Sequence, residues 1–190
     1  MLARRGVRAE EVPLVQSMSA VATWVGALTR GGILRTAEEE RGVEEALALI
    51  GEERLSELRE HFAEAGAEVG LRERRGAILA CIWMAHADRE LAPEEASLLE
   101  AIILQSDFPS AEVARLTESV REPPELEAVA ASLTYPPLRE LMLALAWQLA
   151  MADGRVDAEE RGAYGALAEA LGVDEARAGE IRERVGLELA

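Results

Sequence analysis

Apolar residues recur along this chain at three- and four-residue steps, and no stretch alternates convincingly as a strand would. Thr36 and Glu39 form a capping box that predicts a helix to about Ile50, stopped by Gly51. Leu55, Leu58 and Phe62 stripe the next helix, which runs out near Gly66. A longer one is expected over roughly 71–87, with Ile78, Leu79, Ile82, Trp83 and Ala85 turned inward. Pro93 suits the first position of a helix carrying Leu98, Leu99, Ile102 and Ile103. Ser110 is placed to cap a helix with Val113, Leu116 and Val120, and two Pro-Pro pairs bracket a short helix with Leu126, Val129 and Leu133. Pro137 then opens a long helix striped by Leu138, Leu141, Met142, Leu145 and Leu149. Asp157 with Glu160 makes a second capping box, that helix ends at Gly172, and Asp174 caps the last one. The expected fold is all-α, a compact helical bundle of about nine or ten helices with short connections.

The first thirty residues need a separate reading. Arg4, Arg5 and Arg8 precede an uncharged run from Val12 to Thr29, and Ala20-Val21-Ala22 resembles a cleavage site. Glu10 and Glu11 interrupt that pattern, and Pro13, Gln16, Ser17, Ser19 and Thr23 dilute the apolar run. Leu14, Met18, Val21, Val25 and Leu28 instead trace one helix face, so an amphipathic helix is expected in place of a signal or membrane anchor. A cytoplasmic protein follows from that reading.

Composition then narrows the chemistry. The chain has 190 residues and a formal charge of −16, with 36 acids against 20 basic residues, all of them Arg. Phosphate backbones would be repelled, so nucleic acid is excluded as a partner. The single cysteine, Cys81, excludes a disulfide framework and a Cys-based zinc site. Half of the residues are hydrophobic, enough for a packed core.

One pattern repeats. Ala87-Asp88-Arg89-Glu90-Leu91-Ala92-Pro93-Glu94-Glu95 lies over Ala152-Asp153-Gly154-Arg155-Val156-Asp157-Ala158-Glu159-Glu160 at a constant offset of 65. Each copy joins an apolar helix to an amphipathic one, which reads as an internal duplication of a helix–acidic loop–helix unit. It predicts that segments 71–106 and 137–172 are equivalent helix pairs and that Leu91 and Val156 are buried at matching places. A third, degenerate copy can be laid over Trp24 to Glu38, where Arg30 replaces the Asp.

The segments MAHADRELAPEE and MADGRVDAEE resemble the TerB-like family associated with tellurite resistance. The likeness covers about residues 71–185 and departs from the family pattern at Arg89, where Gly is usual. It implies a compact helical domain of two similar halves at 71–190, preceded by a helical extension at 1–70. It also implies a role in bacterial stress and tellurite-resistance systems, without enzymatic activity. Family members also occur fused to other domains, including membrane-tethered DnaJ-like cochaperones; the chain has no His-Pro-Asp signature, so that activity does not carry over. The family's acidic cluster is suspected of binding a cation. This would fall to Asp153 and Glu160, and in the first copy to Asp88 and Glu95.

The residues give that idea some chemistry. Asp153, Gly154, Val156 and Glu160 are spaced like the second half of an EF-hand loop, but Leu149 and Met151 stand where its first oxygen ligands belong. Calcium takes about 6–8 oxygens, so Asp153, Asp157 and Glu160 alone would bind on the order of millimolar. A useful site would need the Asp88 and Glu95 loop beside it. The bland alternative is that Glu95 and Glu160, each third in its helix, only cap N–H groups. Capping leaves Asp153 unexplained, because an acid at a helix C-terminus opposes the dipole.

Other residues point to packing. Trp24, Trp83 and Trp147 lie on apolar faces, Cys81 sits among Ile78, Ile82 and Trp83, and His61 and His86 are isolated, His86 as a helix-end residue. From Glu38 to Glu64 ten Glu face three Arg, the pattern of solvated helix faces. No nucleophile–base pair or phosphate loop is legible, which disfavours a hydrolase with two catalytic carboxylates. The alternative to a cation-binding module is a helical adaptor whose acidic surface binds a protein partner.

Overall fold

The computed structural model describes residues 44, 46–86, 91, 93–105, 108–151, 156 and 158–188. Residues 46–50 are helical and stop at Gly51, whose φ of 84° is a left-handed conformation that Gly adopts without a Cβ penalty. Eight helices follow: α1 Glu52–Glu64, α2 Ala67–Ala85, α3 Pro93–Gln105, α4 Ser110–Ser119, α5 Leu126–Ser132, α6 Pro136–Ala150, α7 Ala158–Ala170 and α8 Glu175–Glu188. The described residues contain no strand, and the fold is all-α.

Local chemistry explains most of the boundaries. Pro93 is the first residue of α3, as its fixed φ favours. The α7 helix ends in a Schellman motif, with Val173 N–H bonded to Ala168 O, Gly172 N–H to Glu169 O, and Gly172 at φ 67°. Asp174 Oδ1 accepts the Arg177 N–H at 2.9 Å and so caps α8. Two expectations shift by a residue. Ser110 lies inside α4, with Pro109 at the cap and no side-chain cap bond, and α6 opens at Pro136. In both cases a Pro that needs no N–H partner takes the end position.

Two helices form the centre. Leu138, Leu141, Met142, Leu143 and Leu145 of α6 are fully buried, as are Ala77, Ile78, Ala80 and Ile82 of α2. The α2 helix packs on α3, α4, α5 and α6, while α6 also takes α1, α7 and α8. Leu49, Ile50, Leu55 and Leu58 enter the same core, so residues 46–64 share it with the helices that follow. At about 25 cal/mol per Å², each fully buried Leu or Ile contributes about 1.5–3 kcal/mol.

The α5 helix approaches α2 closely enough to dictate sequence. A Cβ at Gly76 would lie 2.8 Å from the Ser132 carbonyl carbon, so only Gly fits there. Arg139 ties the frame together at two helix ends: its Nε donates to Leu133 O at 2.6 Å and its Nη1 to Leu171 O at 2.9 Å. These carbonyls have no partner within their own helices.

Candidate functional site

The two acidic motifs fall at corresponding junctions. α2 ends at Ala85 and α6 at Ala150, while α3 spans Pro93–Gln105 and α7 spans Ala158–Ala170. Every one of these boundaries is displaced by the offset of 65 read from the sequence. Burial follows the same offset: Ala77 and Met142, Ile78 and Leu143, Leu99 and Tyr164, and Ile103 and Ala168 are all buried.

Glu160 is the third residue of α7, and with Glu159 it puts two acids in the first turn, where they complement the helix dipole. Glu95 is likewise third in α3. Asp88, Asp153 and Asp157 lie outside the described residues, as does the side chain of Glu95. Among the described residues no three His, Cys, Asp or Glu side chains converge to hold a metal ion. Leu91 and Val156, expected to be buried, are half-buried. Leu91 packs against the core, and the Val156 carbonyl accepts a hydrogen bond from Arg161 Nη1.

The remaining sequence candidates within the described residues are packing groups; Trp24, with the degenerate third copy of the motif, lies outside them. His86 Nε2 meets Val120 O at 3.0 Å, joining the end of α2 to the end of α4. His61 stacks on Tyr135, with ring centroids 3.8 Å apart. Cys81 is buried, and desolvation pushes its thiol up to about 12, which keeps it an inert neutral group. Trp83 and Trp147 are half-buried against the core, and Trp147 meets Tyr164 edge-on at 4.9 Å.

Sequence reasoning passed over two buried carboxylates. Glu73 of α2, 0 % exposed, accepts the Thr134 N–H at 3.1 and 3.0 Å and also the Thr134 hydroxyl, while Arg72 lies 3.4 Å away. Glu140 of α6 accepts from Arg177 Nε at 3.0 Å and Nη2 at 2.5 Å, and Arg54 Nη2 lies 3.4 Å off. Hydrogen bonding to Glu57 and attraction to Glu140 raise the Arg54 pKa; for Arg177 the largest cause is its hydrogen bond to Glu140. A charged residue inside the Leu138–Leu141–Met142 stripe was the available signal for Glu140. Beside this pair lies a cavity of about 500 Å³ at the start of α1, lined by Arg54, Arg177 and Arg184 together with Gly51, Glu52 and Glu53.

The geometry defines a helical domain built around two long central helices, each continued through an acidic junction into a helix of thirteen residues. A family model described as "Tellurite resistance protein TerB" matches residues 74–183, more than half of the chain, and the protein belongs to the TerB family. No curated protein and no solved structure gives a significant match. Among the described residues no helix is long and apolar enough to cross a membrane.

Proposed function

We propose that this chain is a non-enzymatic TerB-family module of a bacterial stress or tellurite-resistance system, and that it binds a divalent cation through its two acidic junctions. Residues 71–190 make the duplicated unit, 1–70 extend it, and Asp153, Asp157 and Glu160 are the principal ligands, with Asp88 and Glu95 completing the shell. The observation that carries this reading is the shared offset: two helix–loop–helix junctions keep the same acids at the same distance from the same helix ends. Hard carboxylate oxygens favour calcium or magnesium over softer ions. Because Arg89 adds a positive charge to the first junction, the second dominates.

Calorimetric titration with calcium, magnesium and zinc tests the proposal, alongside melting curves. The native chain is expected to release or absorb heat at millimolar metal and to melt higher, by about 2.7 kcal/mol of stabilisation at a hundredfold excess over Kd. Asp153→Asn should abolish both. If the acids only cap helices, metal will do nothing beyond screening and Glu160→Gln will be nearly neutral while Asp157→Ala destabilises. A second reading, an adaptor for a basic protein, draws support from Glu52, Glu53, Glu60, Glu64 and Glu68, which are exposed on α1 and the start of α2. Cation-independent capture of a basic peptide that is lost at high salt would favour it.

A further inference from the structure

The offset of 65 also relates two ion triads, and across it their charges are reversed. Glu112 of α4 holds Arg75 of α2 and Arg115 of its own helix, both at 3.5 Å. Arg177 of α8 holds Glu140 of α6 at 2.5 Å and Glu180 of its own helix at 2.8 Å. Arg75 corresponds to Glu140, Glu112 to Arg177 and Arg115 to Glu180, so every member changes sign while every pair survives. The frame around them is shared. Helix α4 begins at Ser110 and α8 at Glu175, and Leu116 and Val120 are buried at the places matched by Ile181 and Val185. In each set the last helix packs on the long central one, α4 on α2 and α8 on α6.

We propose that this reversal sorts the two halves: it keeps the closing helix of each from docking on the central helix of the other. Misassembly is the characteristic hazard of a repeated fold. Apolar matching does not prevent it here, because Val120 and Val185 are identical, Leu116 and Ile181 are isomers, and hydrophobic attraction is non-directional. The charges do discriminate. With α8 on α2, Arg177 would meet Arg75; with α4 on α6, Glu112 would meet Glu140. Side-chain exposures of 14 % at Glu112 and 8 % at Glu140 leave little water to screen such encounters, and each would strand a shielded carboxylate without its cation. Arg54 also reaches Glu140 at 3.4 Å and softens the second clash, so the first carries more of the discrimination. Partly solvated pairs of this kind contribute little to stability; their use lies in the contrast between right and wrong partners.

The test is refolding of the full chain from urea in EDTA, followed by far-UV circular dichroism and size-exclusion chromatography. Arg75→Glu with Glu112→Arg and Arg115→Glu keeps every native pair but gives both triads the same signs. The main refolding phase of this equalised chain should be about tenfold slower than that of the native chain, with part of the protein eluting at higher apparent mass as helices dock across copies. Reversing the second triad as well, by Glu140→Arg, Arg177→Glu and Glu180→Arg with Arg54→Gln, makes the signs opposite again and should restore the native rate. An equalised chain that refolds at the native rate overturns the proposal. So does a doubly reversed chain no faster than the equalised one, because the defect would then come from the substitutions and not from lost sorting. EDTA removes divalent cations, so the outcome is independent of binding at the acidic junctions.

Discussion

Helices α2 and α6 occupy positions 65 residues apart in one frame, yet the residues facing their neighbours differ in kind. Where α6 presents the fully buried Leu138 and Leu141, α2 presents Glu73 and Gly76. The reason is the neighbour. The end of α5 and the linker after it lie directly on α2, so their backbone demands a Gly at 76 and an acceptor at 73 for the Thr134 N–H. Side chains of α8 and α1 meet α6 instead, and its buried carboxylate, Glu140, is held by arginines. Equivalent frame positions therefore do not fix equivalent chemistry; backbone contact calls for hydrogen bonds and small residues, and side-chain contact permits leucines and ion pairs.

The contrast can be broken by substitution. Glu73→Ala should have the largest effect, about 3–4 kcal/mol in urea unfolding, because it removes the buried carboxylate that accepts both the Thr134 N–H and its hydroxyl and opens a void in α2. A cost below about 1 kcal/mol would show that the linker does not depend on this carboxylate. The matched pair Leu141→Ala and Gly76→Ala changes size in opposite directions. Both should destabilise, the first by about 3 kcal/mol through a cavity and the second by about 2 kcal/mol through overpacking against Ser132. If Gly76→Ala instead stabilises, as helix propensity alone predicts, the close approach of α5 is wrong.

Alkali distinguishes the two helices more gently. Burial raises Cys81 of α2 from 9.0 to about 12 and Tyr164, beside α6, from 10.0 to about 12. A raised folded pKa means that the unfolded chain loses its proton first. The stabilisation is therefore complete below pH 9 and lost as pH climbs toward 12. Between pH 8 and pH 10 the thiol should remove about 1.4 kcal/mol, and Cys81→Ala should flatten that slope while Tyr164→Phe alters it only near pH 10 and above. The smallest effect is expected from Glu140→Gln, about 1 kcal/mol in dilute buffer, discounted because Arg54 and Arg177 are partly solvated. Molar salt should shrink that difference and leave the cost of Glu73→Gln unchanged, since hydrogen bonds to a linker are screened less than ion pairs. Equal salt sensitivity at the two sites would erase the distinction.

Much of this architecture was readable along the chain because its causes act over a few residues. Gly51 and Gly172 end helices through left-handed geometry, Pro93 opens one, Asp174 caps one, and the stripes at Leu55–Leu58 and Leu138–Leu145 turn inward, all within a turn or two of backbone. The same short range exposed the repeat offset, and with it the acidic junctions on which the proposed cation site rests. Glu73, Gly76 and Arg184 gave no comparable sign, and Glu140 showed only as a charge within an apolar stripe, with nothing to name its partner. Their partners stand 61 residues away at Thr134, 56 at Ser132, 37 at Arg177 and 133 at Gly51, and only packing brings them together. Periodicity marks which side of a helix faces inward, but the identity of what it faces, backbone or side chain, charge or methyl, is set by the tertiary arrangement, because desolvation and hydrogen bonding act between whichever groups the fold makes neighbours.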